Sequence, residues 1–313
     1  MKRRSEGAAL LAVLWLSAAL SAIAFSVAAT VRGETERAAT SVDDIKSYYL
    51  ATGSIQRAIL YFQWGPQFYR PGTSTIALRF PSGEAVVEIV PETAKLNINA
   101  ALPEDLYKLL LALGANGSQA SELTSAIVDW RTPAPDNKLS PFDAFYLSLS
   151  PSFRSPHASF QEIEELLSIK GMTPDLFYGT YVRERDRLVA TGGLRDCVST
   201  HGTTGSFEIN TASPALLLAA GLAPDQVAAL VARRAEQPFG SPEEARAFAS
   251  GLGPAGERLR LGGNTMFTFR ATVRLRLQNG QLSDMQRTVA ALIKFMPSGS
   301  DATFHVIRWY DRD

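Results

Sequence analysis

Three aspartates lie seven residues apart in a proline-rich stretch of the sequence: Asp129, Asp136 and Asp143. All three can lie in one loop, and loop carboxylates suit calcium, which takes about six to eight oxygen ligands. Backbone carbonyls and the side chain of Asn137 can complete such a set. The stretch therefore predicts a calcium site. The alternative interpretation is a solvated loop in which Asp129 caps a neighbouring element.

Motifs of the common enzyme classes do not occur in the sequence. It has no Walker loop for phosphate, no GxSxG or HExxH motif and no Cys–His pairing. The three histidines, His157, His201 and His305, are far apart in the sequence. The single cysteine, Cys197, excludes an intrachain disulfide. We therefore expect a protein that is not an enzyme.

The charge balance narrows the classes of partner. The 313 residues include 31 Lys and Arg and 31 Asp and Glu, so the formal net charge is zero. A dedicated binder of nucleic acid or of an acidic membrane surface needs a net basic face, because phosphates must be neutralised. The zero net charge therefore argues against a nucleic-acid binder and against a binder of acidic membranes. The length of the chain separately predicts two structural units beyond any membrane anchor.

The N-terminal segment is apolar and long enough to cross a membrane. Residues 7–31 carry no charge, and a hydrocarbon core about 30 Å thick needs roughly 20 apolar residues in a helix. We assign the anchor to the stretch from Ala8 to Val31, which includes Leu14 and Leu20. The basic residues that precede it place the N-terminus in the cytoplasm. A secretory signal peptide is the alternative, but its apolar region is typically only about 7–15 residues long.

The helix is predicted to continue beyond the membrane span. Apolar residues recur at steps of three and four, or multiples of them, with polar residues between. They are Val42, Ile45, Tyr49, Ile55, Ile59 and Phe62, and no proline occurs before Pro66. The pattern predicts one helix over residues 8–64, roughly 85 Å long. Its second half is amphipathic, which suits packing on a globular head.

Strand-like segments lie at both ends of the remaining chain. Their apolar and polar residues alternate, and turn residues such as Pro81-Ser82-Gly83 and Asn279-Gly280 separate them. The segments are residues 75–80, 84–90, 267–277, 286–295 and 303–309. We therefore predict a small antiparallel sheet formed by residues 65–95 and 263–313.

The intervening residues, 96–262, have the composition of an inserted all-α domain, and parts of it resemble each other. The segment LNINAALP (96–103) matches FEINTASP (207–214), and both lead into leucine-rich helices. Glycine turns at Gly171 and Gly221 resemble those of helix-hairpin-helix modules, which often hold the DNA backbone. A membrane-anchored DNA-uptake protein is therefore an alternative. It is disfavoured because phosphate clamps need basic residues near the turn, and only Lys170 meets that need.

The N-terminal segment as a whole resembles the type IV pilin signal, in which a short basic leader ends in glycine and an apolar helix follows. In that family a prepilin peptidase cuts after the glycine, so the resemblance implies cleavage between Gly7 and Ala8, loss of residues 1–7 and methylation of the new N-terminus. The fifth residue of the mature chain is usually Glu, whereas here it is Ala12. That absence is typical of one pilin-like family, the K-type minor pseudopilins of type II secretion systems.

The head supports the same resemblance through the order and spacing of several segments. They are the INxA segment at 98–101, the DW pair at 129–130, SFQEIEELLSIKGM at 159–172, INTAS at 209–213 and VIRW at 306–309. The resemblance implies an α+β fold, in which a pilin helix packs on a small antiparallel sheet that carries a large helical insertion. It also implies calcium on the acidic stretch around the DW pair, although Thr132, Ala134 and Phe142 stand where the family tends to place acids.

The function implied by the resemblance is that of a minor pseudopilin at the tip of the secretion pseudopilus. The expected partners are the I-type and J-type minor pseudopilins, the major pseudopilin and the prepilin peptidase, with no nucleic acid. The expected location is the inner membrane, crossed once, with the head in the periplasm. A plain single-pass membrane protein with an uncleaved leader stays open as an alternative.

Overall fold

The structure is a computed structural model that describes residues 4–65, 67–69, 74–134, 138–184, 187–262, 265–297 and 299–311. The described helices are α1 (Arg4–Trp64), α2 (Pro103–Ala112), α3 (Gly117–Arg131), α4 (Asp143–Leu147), α5 (Pro174–Tyr178), α6 (Leu194–Cys197), α7 (Pro214–Ala219), α8 (Pro224–Glu236) and α9 (Pro242–Ser250). The described strands are β1 (Thr75–Phe80), β2 (Gly83–Pro91), β3 (Leu96–Asn97), β4 (Tyr181–Glu184), β5 (Arg187–Ala190), β6 (Val198–Ser199), β7 (Phe207–Glu208), β8 (Leu259–Arg260), β9 (Met266–Leu275), β10 (Arg287–Phe295) and β11 (Phe304–Tyr310).

The first helix, α1, is continuous over 61 residues, which corresponds to a length of about 90 Å. It confirms the prediction of one helix that runs from the apolar segment into the head. Gly33 and Gly53 lie inside it without ending it. The last residues of the helix are amphipathic, and the buried side of this part carries Leu50, Ile55 and Ile59.

Five antiparallel strands form the main sheet, in the order β1-β2-β9-β10-β11. The strands that pair in its centre, β2 and β9, come from opposite ends of the head, since Val87 pairs with Ala271. Side chains alternate between the two faces of a strand. The face that carries Val289, Ala291 and Ile293 packs on α1. The connection from β9 to β10 turns at Asn279-Gly280 as predicted, but it is longer than a two-residue turn and contains a bridge between Arg276 and Leu282.

The inserted segment packs on part of the other face of the sheet, where β9, β10 and β11 lie. Ala290 and Leu292, which alternate with the residues facing α1, are buried and line a cavity of about 210 Å³ together with Glu162 and His201 of the insertion. Arg308 of β11 forms an ion pair with Glu162 at 2.7 Å. The sheet therefore contacts the long helix on one face and the inserted domain on part of the other, while Val86 of β2 is exposed on that second face.

The insertion contains eight of the described α-helices, α2–α9, in agreement with the predicted helical domain. Short strands that the sequence analysis did not predict join its first and last segments to its middle. Strand β3 pairs with β6, and β7 pairs with β8, in both cases in parallel. Strands β4 and β5 form a separate hairpin. The residues of this hairpin include Tyr181, Val182 and Val189, whose types favour extended backbone over helix.

The predicted internal repeat has the same side-chain contacts in both copies. The amide of Asn99 accepts a hydrogen bond from the backbone N–H of Phe160 at 2.7 Å and donates one to the carbonyl of the same residue at 2.9 Å. Asn210 makes the same pair of bonds with Phe239, at 2.9 Å and 3.1 Å. Each asparagine therefore binds both the N–H and the carbonyl of one phenylalanine that packs in the core. We call this pair of hydrogen bonds an asparagine clasp.

Each repeat also uses an arginine of its second helix. In the first copy the guanidinium of Arg131 donates to the carbonyls of Ile98 and Ala101. In the second copy Arg234 donates to the carbonyl of Ile209 at 3.1 Å. Because the two copies share these long-range bonds, the resemblance between segments 96–103 and 207–214 reflects two similarly folded units.

Candidate functional site

The apolar part of α1 is the first candidate site. Residues Leu10–Trp64 contain a stretch with mean hydropathy 2.2, none of which is buried inside the protein, so the helix is long and apolar enough to cross a membrane. Leu14, Leu20 and Val31 have exposed fractions of 62%, 59% and 58%. Apolar side chains exposed on all sides are typical of a helix that lies in lipid. Gly7 and Ala8 lie in the first turns of α1, and their side chains are outside the described part.

The predicted calcium loop is the second candidate site, and the structure brings two of its three aspartates together. Asp129 lies near the end of α3 and Asp143 begins α4. Ser140 lies between them, because its hydroxyl donates to Oδ2 of Asp129 at 2.9 Å and its backbone N–H donates to Oδ2 of Asp143 at 2.9 Å. Asp136 lies outside the described residues.

Two positively charged side chains face Asp143. The Nε2 atom of His157 lies 3.1 Å from Oδ2 of Asp143, and the Nε atom of Arg154 lies 3.8 Å from the same oxygen. The Nδ1 atom of His157 lies 3.2 Å from the backbone carbonyl oxygen of Asp129. The other oxygen of Asp143, Oδ1, is buried and has no hydrogen-bond partner among the described residues.

These contacts lower the pKa of Asp143 and raise the pKa of His157, and both shifts favour the charged form. Burial alone would raise the pKa of Asp143, but the hydrogen bonds from Ser140 and His157 and the charges of His157 and Arg154 outweigh it and lower the pKa. Burial alone would lower the pKa of His157, but its bonds to Asp143 and to the carbonyl of Asp129 raise it. The contacts therefore favour the carboxylate form of Asp143 and the protonated form of His157.

This arrangement does not fit calcium. In the described ranges, no group of three or more His, Cys, Asp or Glu side chains is placed to hold a metal ion. Calcium requires about six to eight oxygen ligands, whereas the oxygen shared by Ser140, His157 and Arg154 already faces an N–H donor and two cations. The calcium prediction for Asp129, Asp136 and Asp143 stays a prediction. The two described aspartates, Asp129 and Asp143, are bonded within the protein.

The sequence analysis missed Ser140, Arg154 and His157 as members of this site. A signal for Ser140 exists, because Ser140-Pro141-Phe142-Asp143 matches the S-x-x-D pattern of a capping box. The reciprocal bonds are present, since the N–H of Asp143 lies 3.2 Å from the hydroxyl of Ser140. The position of His157 beside Asp143 depends on a fold-back of the chain that no local pattern indicates.

The aromatic residues around the loop contribute to packing. The ring of Trp130 stacks on that of Phe160, with centroids 6.1 Å apart, and meets the ring of Tyr146 edge-on at 5.6 Å. The indole N–H of Trp130 donates to Glu165 at 3.3 Å. Trp130 and Tyr146 are buried, so the DW pair fixes the loop to the core of the insertion.

The glycine turns adopt the backbone that such turns require, but the basic residue beside one of them is engaged within the protein. Gly171 and Gly221 have φ values of 87° and 104°, which favour glycine. Lys170 forms an ion pair with Glu122 at 2.8 Å and lies over the ring of Phe145 at 5.4 Å. These contacts agree with the prediction that the turn does not bind phosphate, which stays a prediction.

Comparisons with known proteins point to one family. Residues 89–179 match the family model of protein K of the type II secretion system. This segment contains the acidic loop and the first Asn clasp. The family resemblance predicted from the sequence is confirmed. The likeness is to protein K, and the segment that matches the model ends before the hairpin formed by β4 and β5.

Two further matches agree with this assignment. The type II secretion system protein K of Pectobacterium carotovorum subsp. carotovorum is 28% identical over 56% of this chain and 61% of its own length. The match thus spans about three fifths of that relative. A chain in the crystal structure of the GspK-GspI-GspJ complex from enterotoxigenic Escherichia coli has the same fold, with a TM-score of 0.57 and 14% identity over 87% of this chain and 98% of that one.

Proposed function

We propose that this chain is a minor pseudopilin that sits at the tip of a type II secretion pseudopilus and helps to initiate its assembly. In this proposal the prepilin peptidase removes residues 1–7 by cutting between Gly7 and Ala8. The apolar helix is retained, anchors the chain in the inner membrane and then packs with the helices of other subunits. The assembled fibre serves the export of folded proteins, and the chain itself performs no catalysis.

The orientation of the anchor follows from its flanking charges. Lys2, Arg3 and Arg4 precede the apolar stretch, and basic residues stay on the cytoplasmic side. The head is therefore expected in the periplasm. The continuous α1 supports this proposal, because the same helix that is exposed on all sides at Leu20 is buried against the sheet at Ile55.

Two features of the chain favour a position at the tip. The apolar helix has Ala12 in place of a glutamate, and the head carries the inserted domain. A carboxylate in an apolar helix bundle needs a partner, and the pilin family is thought to pair the Glu at the fifth mature position with the N-terminus of a neighbouring subunit. Ala12 cannot make that pair. The inserted domain also widens the head, since it packs on part of the face of the sheet opposite α1. A head of this width suits the end of a fibre better than its regular interior.

The proposed partners are the I-type and J-type minor pseudopilins and the major pseudopilin. Support for the first two comes from the similar chain in the E. coli complex, which is described as an assembly of GspK, GspI and GspJ. That likeness concerns the fold, so the partners of this chain are inferred. A net charge of zero gives no support for a nucleic-acid partner.

The deciding experiment is mass spectrometry of the mature N-terminus in cells that contain the prepilin peptidase. We expect a chain that begins at Ala8, together with failure to export folded proteins when the gene is deleted. A chain that begins after Ala24 or Ala29 would indicate an ordinary secreted protein, and an uncleaved chain would indicate a plain single-pass protein. Either result would refute the proposal.

A further inference from the structure

The loop between α3 and residue 157 is closed by a histidine that contacts two oxygen atoms. The carboxylate of Asp143 and the backbone carbonyl of Asp129 lie within 3.1 Å and 3.2 Å of the two ring nitrogens of His157. Both atoms are hydrogen-bond acceptors. A neutral imidazole has one donor nitrogen and one acceptor nitrogen, whereas an imidazolium donates from both. The geometry therefore requires the positively charged form of His157.

His157 is also held in place by its surroundings. Its side chain is 8% exposed, and the carboxylate that it faces is fully buried. Its backbone φ is 46°, the one described non-glycine residue with a positive value. Such a backbone is strained and persists only where the surrounding structure compensates. The N–H of the next residue, Ala158, donates to the carbonyl of Trp130 at 3.0 Å, which ties this segment to the end of α3.

Two basic side chains face the described aspartates of the loop, Asp129 and Asp143. They are His157 and Arg154. Both cations lie within 4 Å of Asp143 Oδ2, at 3.1 Å and 3.8 Å. The hydroxyl of Ser140 satisfies one oxygen of Asp129 at 2.9 Å. A divalent cation bound at the shared oxygen would face both positive side chains at close range.

We infer that His157, assisted by Arg154, takes the place of calcium in this chain and holds the acidic loop closed without any metal ion. The imidazolium bridges the end of α3 and the start of α4 by contacting an oxygen on each. This inference revises the calcium site predicted from the acidic stretch. It does not rest on the proposed function, because it concerns how the inserted domain is held together.

The first test uses the full chain, purified in detergent and unmodified. Its thermal unfolding is followed by circular dichroism in EGTA and in calcium at about 10 mM, well above the dissociation constants of about 10⁻⁴–10⁻³ M typical of weak extracellular calcium modules. We expect melting temperatures that agree within about 1 °C, because a ligand that binds only the folded state would raise the value. A calcium-dependent rise that saturates would overturn the inference.

The second test replaces the histidine by a residue that tolerates the same backbone. Asparagine adopts positive φ more readily than most residues, so His157→Asn removes the imidazolium without adding backbone strain. We expect the melting temperature to fall by about 2–4 °C, the shift typical of a unit of about 150–250 residues, in calcium and in EGTA alike. The matched control is His305→Asn, at an exposed position in β11, which is expected to melt like the unmodified chain.

The outcomes separate cleanly. Equal melting of His157→Asn and His305→Asn would overturn the inference, as would recovery of His157→Asn by calcium. If His157→Asn gives no folded protein, the unmodified chain decides alone: melting that is independent of calcium supports the inference, and melting that depends on calcium refutes it.

Discussion

The hydroxyl of Thr268 donates a hydrogen bond of 2.6 Å to Oε1 of Glu92, although 176 residues separate the two in the chain. Glu92 follows the last residue of β2, where the chain leaves the sheet, and Thr268 lies in β9, where the chain returns to it. The other carboxylate oxygen accepts from the hydroxyl of Ser199 in the insertion, and Lys95 lies 3.3 Å from Oε1. Glu92 therefore joins the inserted domain to the sheet at the point of insertion.

We predict that Glu92→Gln lowers the free energy of unfolding by about 1–3 kcal/mol at neutral pH, the usual range for a buried hydrogen-bonding group that loses its match. The side chain of Glu92 is 2% exposed, so water cannot replace the lost partners. Urea unfolding of the full chain in detergent measures the change. The matched control is Glu88→Gln in β2, whose side chain is 47% exposed and pairs with Arg270 at 3.5 Å. We expect less than about 1 kcal/mol there.

Glu92 also predicts a pH dependence. Burial alone would raise its pKa, but the charge of Lys95 and the hydrogen bonds from Ser199, Thr268 and Lys95 outweigh burial and lower the pKa. The unfolded chain then binds a proton more readily than the folded chain. The contribution of Glu92 is therefore complete above the unfolded pKa of about 4.3 and is lost as the pH falls through the lower folded pKa.

The measurement is the free energy of unfolding at several pH values below 6, for the unmodified chain and for Glu92→Gln. We expect the difference between them to shrink as the pH falls through the window between the two pKa values. A difference that stays constant across this range would show that Glu92 acts through its shape and not through its charge.

A further prediction concerns the two asparagine clasps. Asn99→Ala and Asn210→Ala each remove two hydrogen bonds to the backbone of one buried phenylalanine and leave that N–H and carbonyl without their partners. We expect each variant to lose about 1–3 kcal/mol. Gln278→Ala, on the exposed connection from β9 to β10, serves as the control and should change stability by less than about 0.5 kcal/mol. If either asparagine variant kept the free energy of unfolding of the unmodified chain, its repeat would be held by apolar packing alone.

Local patterns in the sequence were sufficient to predict the main elements. The five strands of the main sheet agree with the prediction to within about two residues, because periodicity of apolar residues reflects which side of each element is buried. The long helix ends at the predicted residue and begins four residues earlier than predicted. The internal repeat was also visible in the sequence, because both copies place an Asn and a Pro at matching positions before their helices.

Contacts between distant residues were not predictable from those patterns. His157 reaches Asp143 because the chain folds back after Ser155-Pro156, and neither residue carries a signal for the other. The aspartates of the acidic stretch predicted a bound cation, which stays a prediction, and no local pattern indicated that His157 and Arg154 would lie beside Asp143. The hairpin of β4 and β5 was missed because its short strands lie in a long segment rich in helix-forming residues.

The junction between the long helix and the sheet gives a prediction with a matched control on the same helix. Ile55 is fully buried against the sheet, whereas Ile45 has an exposed fraction of 57%. We expect Ile55→Ala to lose about 2–5 kcal/mol, as large-to-small changes in cores do. Ile45→Ala should change the stability of the isolated chain by less than about 0.5 kcal/mol. Equal losses, measured by urea unfolding, would contradict the assignment of the core between α1 and β9.

The last prediction concerns the membrane anchor. Leu20 lies near the middle of the apolar stretch, and an arginine at the centre of a membrane helix disfavours insertion by about 2.5–3.5 kcal/mol. Leu20→Arg should therefore reduce the fraction of chain recovered with membranes. The control is Ala39→Arg, which places the same charge on an exposed position of α1 beyond the apolar stretch and should fractionate like the unmodified chain. Membrane fractionation with carbonate extraction measures both variants. If Leu20→Arg stayed in the membrane while Ala39→Arg left it, the spanning segment would have to lie further along α1 than residues 8–31.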